Sequence, residues 1–175
     1  MGHQKDVVFR PARAAVITVS DTRTFETDTS GQLIYDALEE AGHIIADRHL
    51  IKDDLEIIRG VVSEILERRH CEFVILTGGT GLSDRDVTPE AVQSLYTKHI
   101  PGFGELFRML SYEDIGSATI QSRADAGLCG HAVVLALPGS TGACRLAMEK
   151  IIIPQMDNRN RPCSFRSIIP DLVTS

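Results

Sequence analysis

Phe73-Val74-Ile75-Leu76-Thr77-Gly78-Gly79-Thr80-Gly81-Leu82-Ser83-Asp84-Arg85-Asp86-Val87-Thr88-Pro89-Glu90-Ala91 lays out a strand, a glycine turn and a helix start in one unbroken run. The apolar residues 73–76 predict a short buried strand. Gly78, Gly79 and Gly81 let the backbone bend tightly and present bare N–H groups to an oxyanion. Thr77, Thr80 and Ser83 add hydroxyls, and Asp84 and Asp86 add carboxylates able to hold a divalent cation beside a phosphate. Thr88-Pro89-Glu90 predicts an N-cap followed by proline at the first helical position. The unit as a whole predicts an anion site at a helix start. Neither the Walker lysine nor the spaced dinucleotide fingerprint is present. From these residues alone, phosphate binding and a plain tight strand-to-helix connection both stay open.

The same grammar recurs on either side. Residues 14–19 form an apolar run that ends in Ser20-Asp21-Thr22-Arg23. Ser30-Gly31 precedes a predicted helix over 32–41, with Leu33, Ile34, Ala37, Leu38 and Ala41 on one face and Gly42 closing it. Residues 44–51 predict a second strand. Asp53 and Asp54 open a helix whose apolar stripe is Leu55, Ile58, Val62, Ile65 and Leu66, with the acids favouring the positive end of its dipole. Further helices are predicted over 89–96 and from Pro101-Gly102, the latter with the stripe Phe103, Leu106, Phe107 and Leu110. Residues 111–130 show no clear period. Residues 132–137 predict a central strand, which enters Pro138-Gly139-Ser140-Thr141-Gly142 and a helix over 141–155.

This alternation predicts an α/β fold, three-layered and doubly wound around a mostly parallel central sheet. Residues 13–157 form the single predicted domain, 1–12 a loosely held leader, and 158–175 an extended tail. In such folds ligands bind beyond the carboxyl ends of the strands, where strand order reverses. The polar loops at Ser20, Asp53, Gly78 and Pro138 all follow predicted strands, so their convergence is the strongest argument for a site.

Bulk properties narrow the partners. The chain has 175 residues, 43% hydrophobic and 24% charged, an ordinary balance for a globular protein. A net charge of −6 without a basic run argues against nucleic acid, and the absence of tryptophan argues against a base-stacking surface. No apolar stretch is long enough for a bilayer, and the first residues lack the order of a signal peptide. Cys71, Cys129, Cys144 and Cys163 show no metal-ligand spacing and predict reduced packing thiols in a cytoplasmic protein. The six histidines show no metal spacing either. A flavodoxin-like flavin binder is disfavoured by the 5% aromatic content.

Several spaced motifs, in order, resemble the MoaB/Mog family of molybdenum-cofactor biosynthesis. They are Val16-Ile17-Thr18-Val19-Ser20-Asp21, Asp28-Thr29-Ser30-Gly31, Thr77-Gly78-Gly79-Thr80-Gly81, Arg85-Asp86-Val87-Thr88-Pro89-Glu90-Ala91, Ser122-Arg123 and Pro138-Gly139-Ser140. Gly102-Phe103-Gly104-Glu105, Phe107-Arg108-Met109-Leu110-Ser111 and Arg161-Pro162-Cys163 look like the MoaB branch. The resemblance implies adenylylation of molybdopterin by MgATP, with pyrophosphate as leaving group. It implies Asp53 and Asp86 as catalytic and Mg²⁺-holding residues. It also implies Ser20, Asp21, Thr77, Gly78, Gly79, Thr80, Gly81, Ser122, Arg123, Pro138, Gly139 and Ser140 around molybdopterin and ATP. Asp53 and Asp86 read equally as helix caps from the sequence alone, and Asp54 replaces Asp53 if the register moves by one. The alternative function is a non-catalytic molybdopterin-binding or assembly protein of the same pathway. The family also implies a trimer or hexamer, and a molybdate-insertion enzyme as partner.

Overall fold

A computed structural model describes residues 7–170 and Leu172. The glycine-turn strand, β3 (Phe73–Thr77), lies inside a six-stranded sheet. With β1 (Arg13–Val19), β2 (Ile44–Ile51), β4 (Lys98–His99), β5 (Asp125–Cys129) and β6 (Ala132–Leu137), the order is β2-β1-β3-β6-β5-β4. β2, β1, β3 and β6 run parallel; β5 pairs antiparallel with β6, and the short β4 pairs antiparallel with β5 at that edge. The sheet is therefore mostly parallel, as predicted.

Alternation along the inner strands feeds two cores. Val16, Phe73, Ile75, Val133 and Leu135 face one layer of helices: α1 (Thr29–Glu40), α4 (Pro101–Ile115) and α5 (Thr141–Ala147). Ile17, Val74, Leu76, Val134 and Ala136 face α2 (Leu55–Arg68) and α3 (Thr88–Gln93) on the other side. Strands buried on both faces read as continuous apolar runs, which is why residues 14–19, 73–76 and 132–137 were visible as strands.

The differences from expectation have physical causes. α1 begins three residues earlier than predicted, because the Asp28 side chain accepts from Gly31 N at 2.9 Å and caps it. α2 is capped by Asp54, which accepts from Glu56 N and Ile57 N at 3.0 Å; Asp53 is not its cap. Thr88 is inside α3 and not its cap, and its hydroxyl donates instead to Gly78 O at 2.9 Å. The segment without a clear period contains a 3₁₀ turn (Gly116–Gln121) and β5, whose sequence Asp-Ala-Gly-Leu-Cys carries little strand signature. Gly127 there is needed for space: a Cβ would sit 2.2 Å from the Tyr96 ring. The helix expected over 141–155 is broken after α5 by a π turn (Met148–Ile152) before α6 (Ile153–Met156). Pro154 has no N–H to bond Lys150 O and its ring crowds that carbonyl, so the helix widens just upstream.

Both terminal segments are tied down. Asn158 accepts from Arg10 N at 2.8 Å and donates to Val8 O at 2.9 Å, so residues 7–12 are not a loose leader. Residues 1–6 of that expected leader, with the last residues of the expected tail, lie outside the described residues. The described tail is not simply extended: it forms α7 (Phe165–Ile168), and Ile169 enters the core. The cause is Glu72, a buried acid just before β3. Its carboxylate accepts from Arg13 N at 2.5 Å and faces the buried Arg166 guanidinium at 3.4 Å.

Candidate functional site

The loops after β1, β2, β3 and β6 meet beyond the carboxyl ends of the parallel strands. β1 leads through α1 to β2 on one side, and β2 leads through α2 to β3 on the other, so strand order reverses between β1 and β3. The glycine loop leaves β3 at that reversal, where α/β folds bind ligands. Gly78, at φ +106°, presses so closely on the first strand that a Cβ would lie 2.2 Å from Val19 O. Gly79, at φ +65°, leaves room for two side chains: a Cβ there would meet Thr88 Oγ1 at 2.3 Å and Asp53 Oδ1 at 2.8 Å.

Three carboxylates surround this loop, each held differently. Asp53 stands just before the α2 cap, half-buried, and its Oδ1 is enclosed without a hydrogen-bond partner. Burial lifts its carboxyl above the usual range. The nearby Val87 backbone N–H opposes the rise, and the Asp86 and Asp21 charges add to it. Asp86 lies at the far end of the loop, against Gly81, and accepts from Ser83 Oγ at 2.6 Å and Ser83 N at 2.9 Å. The Ser83 hydroxyl holds its carboxyl below the usual range. Asp21 accepts from Asp53 N at 3.3 Å and is ion-paired to Arg85, which lowers its pKa. Asp86 and Asp53 are thus pushed in opposite directions, a pattern found where titratable groups are tuned.

Beside the loop lies a cavity of about 440 Å³. Gly78, Gly79, Thr80, Gly81 and Asp86 form one wall; Pro138, Gly139 and Ser140 form another, with Ser122, Phe107 and Ile115 closing the rest. Its volume is that of a small-ligand site, part apolar and part polar. A larger hollow of about 860 Å³ lies between α1 and the run from α5 through the π turn to α6. Glu26, Asp28, Asp36, Glu40 and Glu149 line it against the single cation Arg145, so it is poorly suited to a phosphate.

Several of the expected residues hold the loops in shape. Thr77 is fully buried and donates to Pro138 O at 2.9 Å. Ser20 accepts from Arg23 N at 3.2 Å and closes the turn after β1. Ser140 caps α5, accepting from Ala143 N at 3.3 Å. Arg123 donates to Gly81 O at 2.8 Å and Asp86 O at 2.6 Å and pairs with Glu90, so its guanidinium struts the glycine loop. Three residues absent from the expected set also shape the site. Ser30 donates to Gly139 O at 2.8 Å and Arg23 to the same carbonyl at 3.2 Å, tying α1 to the last loop. Arg85 positions Asp21. All three stood inside or beside quoted motifs, but nothing in their spacing indicated these partners.

The probable molybdopterin binding domain family matches residues 15–158. Molybdenum cofactor biosynthesis protein B of Escherichia coli (strain K12) is 47% identical over 162 residues, covering 93% of this chain and 95% of that one. The protein of the same name from Bacillus subtilis (strain 168) is 55% identical over 146 residues, covering 82% and 85%. A crystal structure of molybdenum cofactor biosynthesis protein B superposes with a TM-score of 0.82 at 50% identity, covering 84% of this chain and 92% of that one.

Proposed function

The chain belongs to the MoaB/Mog family of molybdenum-cofactor biosynthesis proteins, and from that footing we propose that it is a molybdopterin adenylyltransferase using MgATP. In the proposed reaction a terminal phosphate oxygen of molybdopterin attacks the α-phosphorus of ATP. One P–O bond forms, the α–β bridging P–O bond breaks, and pyrophosphate departs with the electron pair.

The observation that carries this reading is Asp53. A buried carboxylate oxygen without a partner is costly to keep, and here it is packed against a glycine loop beside a second carboxylate. The donor set is all oxygen, which suits a small hard cation. Asp53 and Asp86 would hold Mg²⁺, which when bound neutralises charge on crowded phosphates. The chain's own groups do the rest. Backbone N–H groups of the glycine loop and the α5 N-terminus after Ser140 face anionic oxygens. Phe107 and Ile115 give one side of the cavity an apolar lining. Because such chemistry is mainly positioning and charge neutralisation, a rigid donor cradle supplies much of what is required.

Incubation of the protein with molybdopterin, ATP and Mg²⁺, with analysis of products, tests the reading. Adenylylated molybdopterin and one equivalent of pyrophosphate are expected. Bound but unchanged molybdopterin would refute catalysis.

A further inference from the structure

The donor atoms of Asp47, His70 and Cys71 lie within 4.8 Å of one another. They sit away from the glycine loop, toward the amino ends of the parallel strands. The five residues of β3, about 16 Å of extended chain, follow Cys71 before that loop begins. No part of the proposed reaction uses them.

The backbone brings the three together in two ways. On β2 the pairing with β1 slips between Ala14 and Ala15: Ala14 pairs Ile45 and Ala15 pairs Asp47, leaving Ala46 as an extra residue. A bulge of this kind re-aims the next side chain, and Asp47 here hydrogen-bonds His70 Nε2. At the end of α2, Arg69 takes a left-handed conformation, φ 52°, which ends the helix and opens the turn that carries His70 and Cys71 into β3. Arg13 Nε then fixes that turn by donating to His70 O at 2.8 Å. His70 Nδ1 is enclosed with no hydrogen-bond partner. His49 lies two residues beyond Asp47 on the same strand and so on the same face, and its Nε2 is likewise enclosed and unpartnered.

We propose that Asp47, His70 and Cys71 bind a borderline divalent metal ion of the zinc–cobalt class. Thiolate, imidazole and carboxylate together match that class, whereas magnesium and calcium favour oxygen alone. Three protein ligands leave one tetrahedral position for water. On binding, the ion replaces the Asp47–His70 hydrogen bond, and the Cys71 thiol proton leaves to solvent. The ion cross-links edge strand β2 to the α2–β3 turn, so its role is to brace that corner of the sheet.

Cobalt(II) titration of the metal-stripped full chain tests this. One equivalent should produce a thiolate-to-cobalt charge-transfer band that zinc(II) abolishes and magnesium(II) never produces. Cys71→Ser should remove the band, while Cys163→Ser, at an exposed thiol, should keep it. His70→Gln should weaken cobalt binding at least about tenfold, the loss seen even for residues behind the ligands. No band at stoichiometric cobalt, or a band that survives Cys71→Ser, overturns the proposal. Should Cys71→Ser fail to fold, unchanged cobalt affinity in His70→Gln overturns it as well. Adenylylation with magnesium alone is independent of every outcome.

Discussion

Asp53 separates function from stability within one side chain. Its ionised form is disfavoured by burial, so the folded protein binds a proton there more readily than the unfolded chain does. Between the ordinary carboxylate value, about 3.9, and its raised folded value, stability therefore falls as pH rises, and the cost is complete above the folded value. Asp53→Asn should raise the melting temperature at pH 7, with the gain shrinking as pH drops toward the ordinary value; calorimetry at a series of pH values reads this. The same variant should lower adenylylation by about 10²–10³-fold, the scale for losing one preorganised charge-stabilising group. Asp86→Asn should cut activity similarly but without a stability gain. Its lowered carboxyl stabilises the fold above the ordinary value, and that contribution disappears as pH falls through its depressed folded one. Near wild-type turnover in both variants would remove these residues from the chemistry.

At the scale of elements, the glycine loop depends on Arg123. Arg123→Ala takes away donors to Gly81 O and Asp86 O and should destabilise by about 1.5–3 kcal/mol, the range for hydrogen bonds to charged groups. Denaturant unfolding checks it, and KM should rise more than kcat falls because the cradle loosens while the carboxylates proposed to hold Mg²⁺ stay in place. Arg123 also marks where the sequence ceased to be readable. β1, β2, β3 and β6 were legible from apolar runs, and the site's position followed from the loops after them. Ser122-Arg123 was recognisable as a motif, but its use as a strut depends on three loops meeting, which spacing does not encode. Asp53 and Asp54 were indistinguishable as neighbours until the helix chose Asp54, because either acid can cap. β5 was hidden by its aspartate and glycine, which strands of ordinary composition avoid. α7 was hidden because its fixed point is the distant Glu72, not its own weak helical pattern.

For the whole molecule, the tail and the outer helix faces carry the predictions. Arg166→Ala leaves Glu72 buried without its cation and should cost about 3–5 kcal/mol, read as a fall in the unfolding midpoint, with recovery in the Glu72→Gln, Arg166→Met double variant. The apolar stripe of α4 is divided: Phe103 and Phe107 belong to the core, whereas Leu106 is exposed, followed on the same helix by Met109, Tyr112 and Ile115. That exposed face is large for a lone chain and supports the proposal of closed assembly into trimers or paired trimers; light scattering at micromolar concentration should give three or six times the 19.2 kDa chain mass. Met109→Glu should shift it toward the monomer. No described helix is long and apolar enough to cross a membrane. The strut on the glycine loop has a last consequence, in time. A cradle ordered during folding need not be ordered again when a nucleotide arrives, so the entropy of shaping it does not subtract from affinity. Rapid-mixing traces should then be single exponentials whose rate climbs linearly with nucleotide concentration and never levels off, the kinetic signature of a door that is already open.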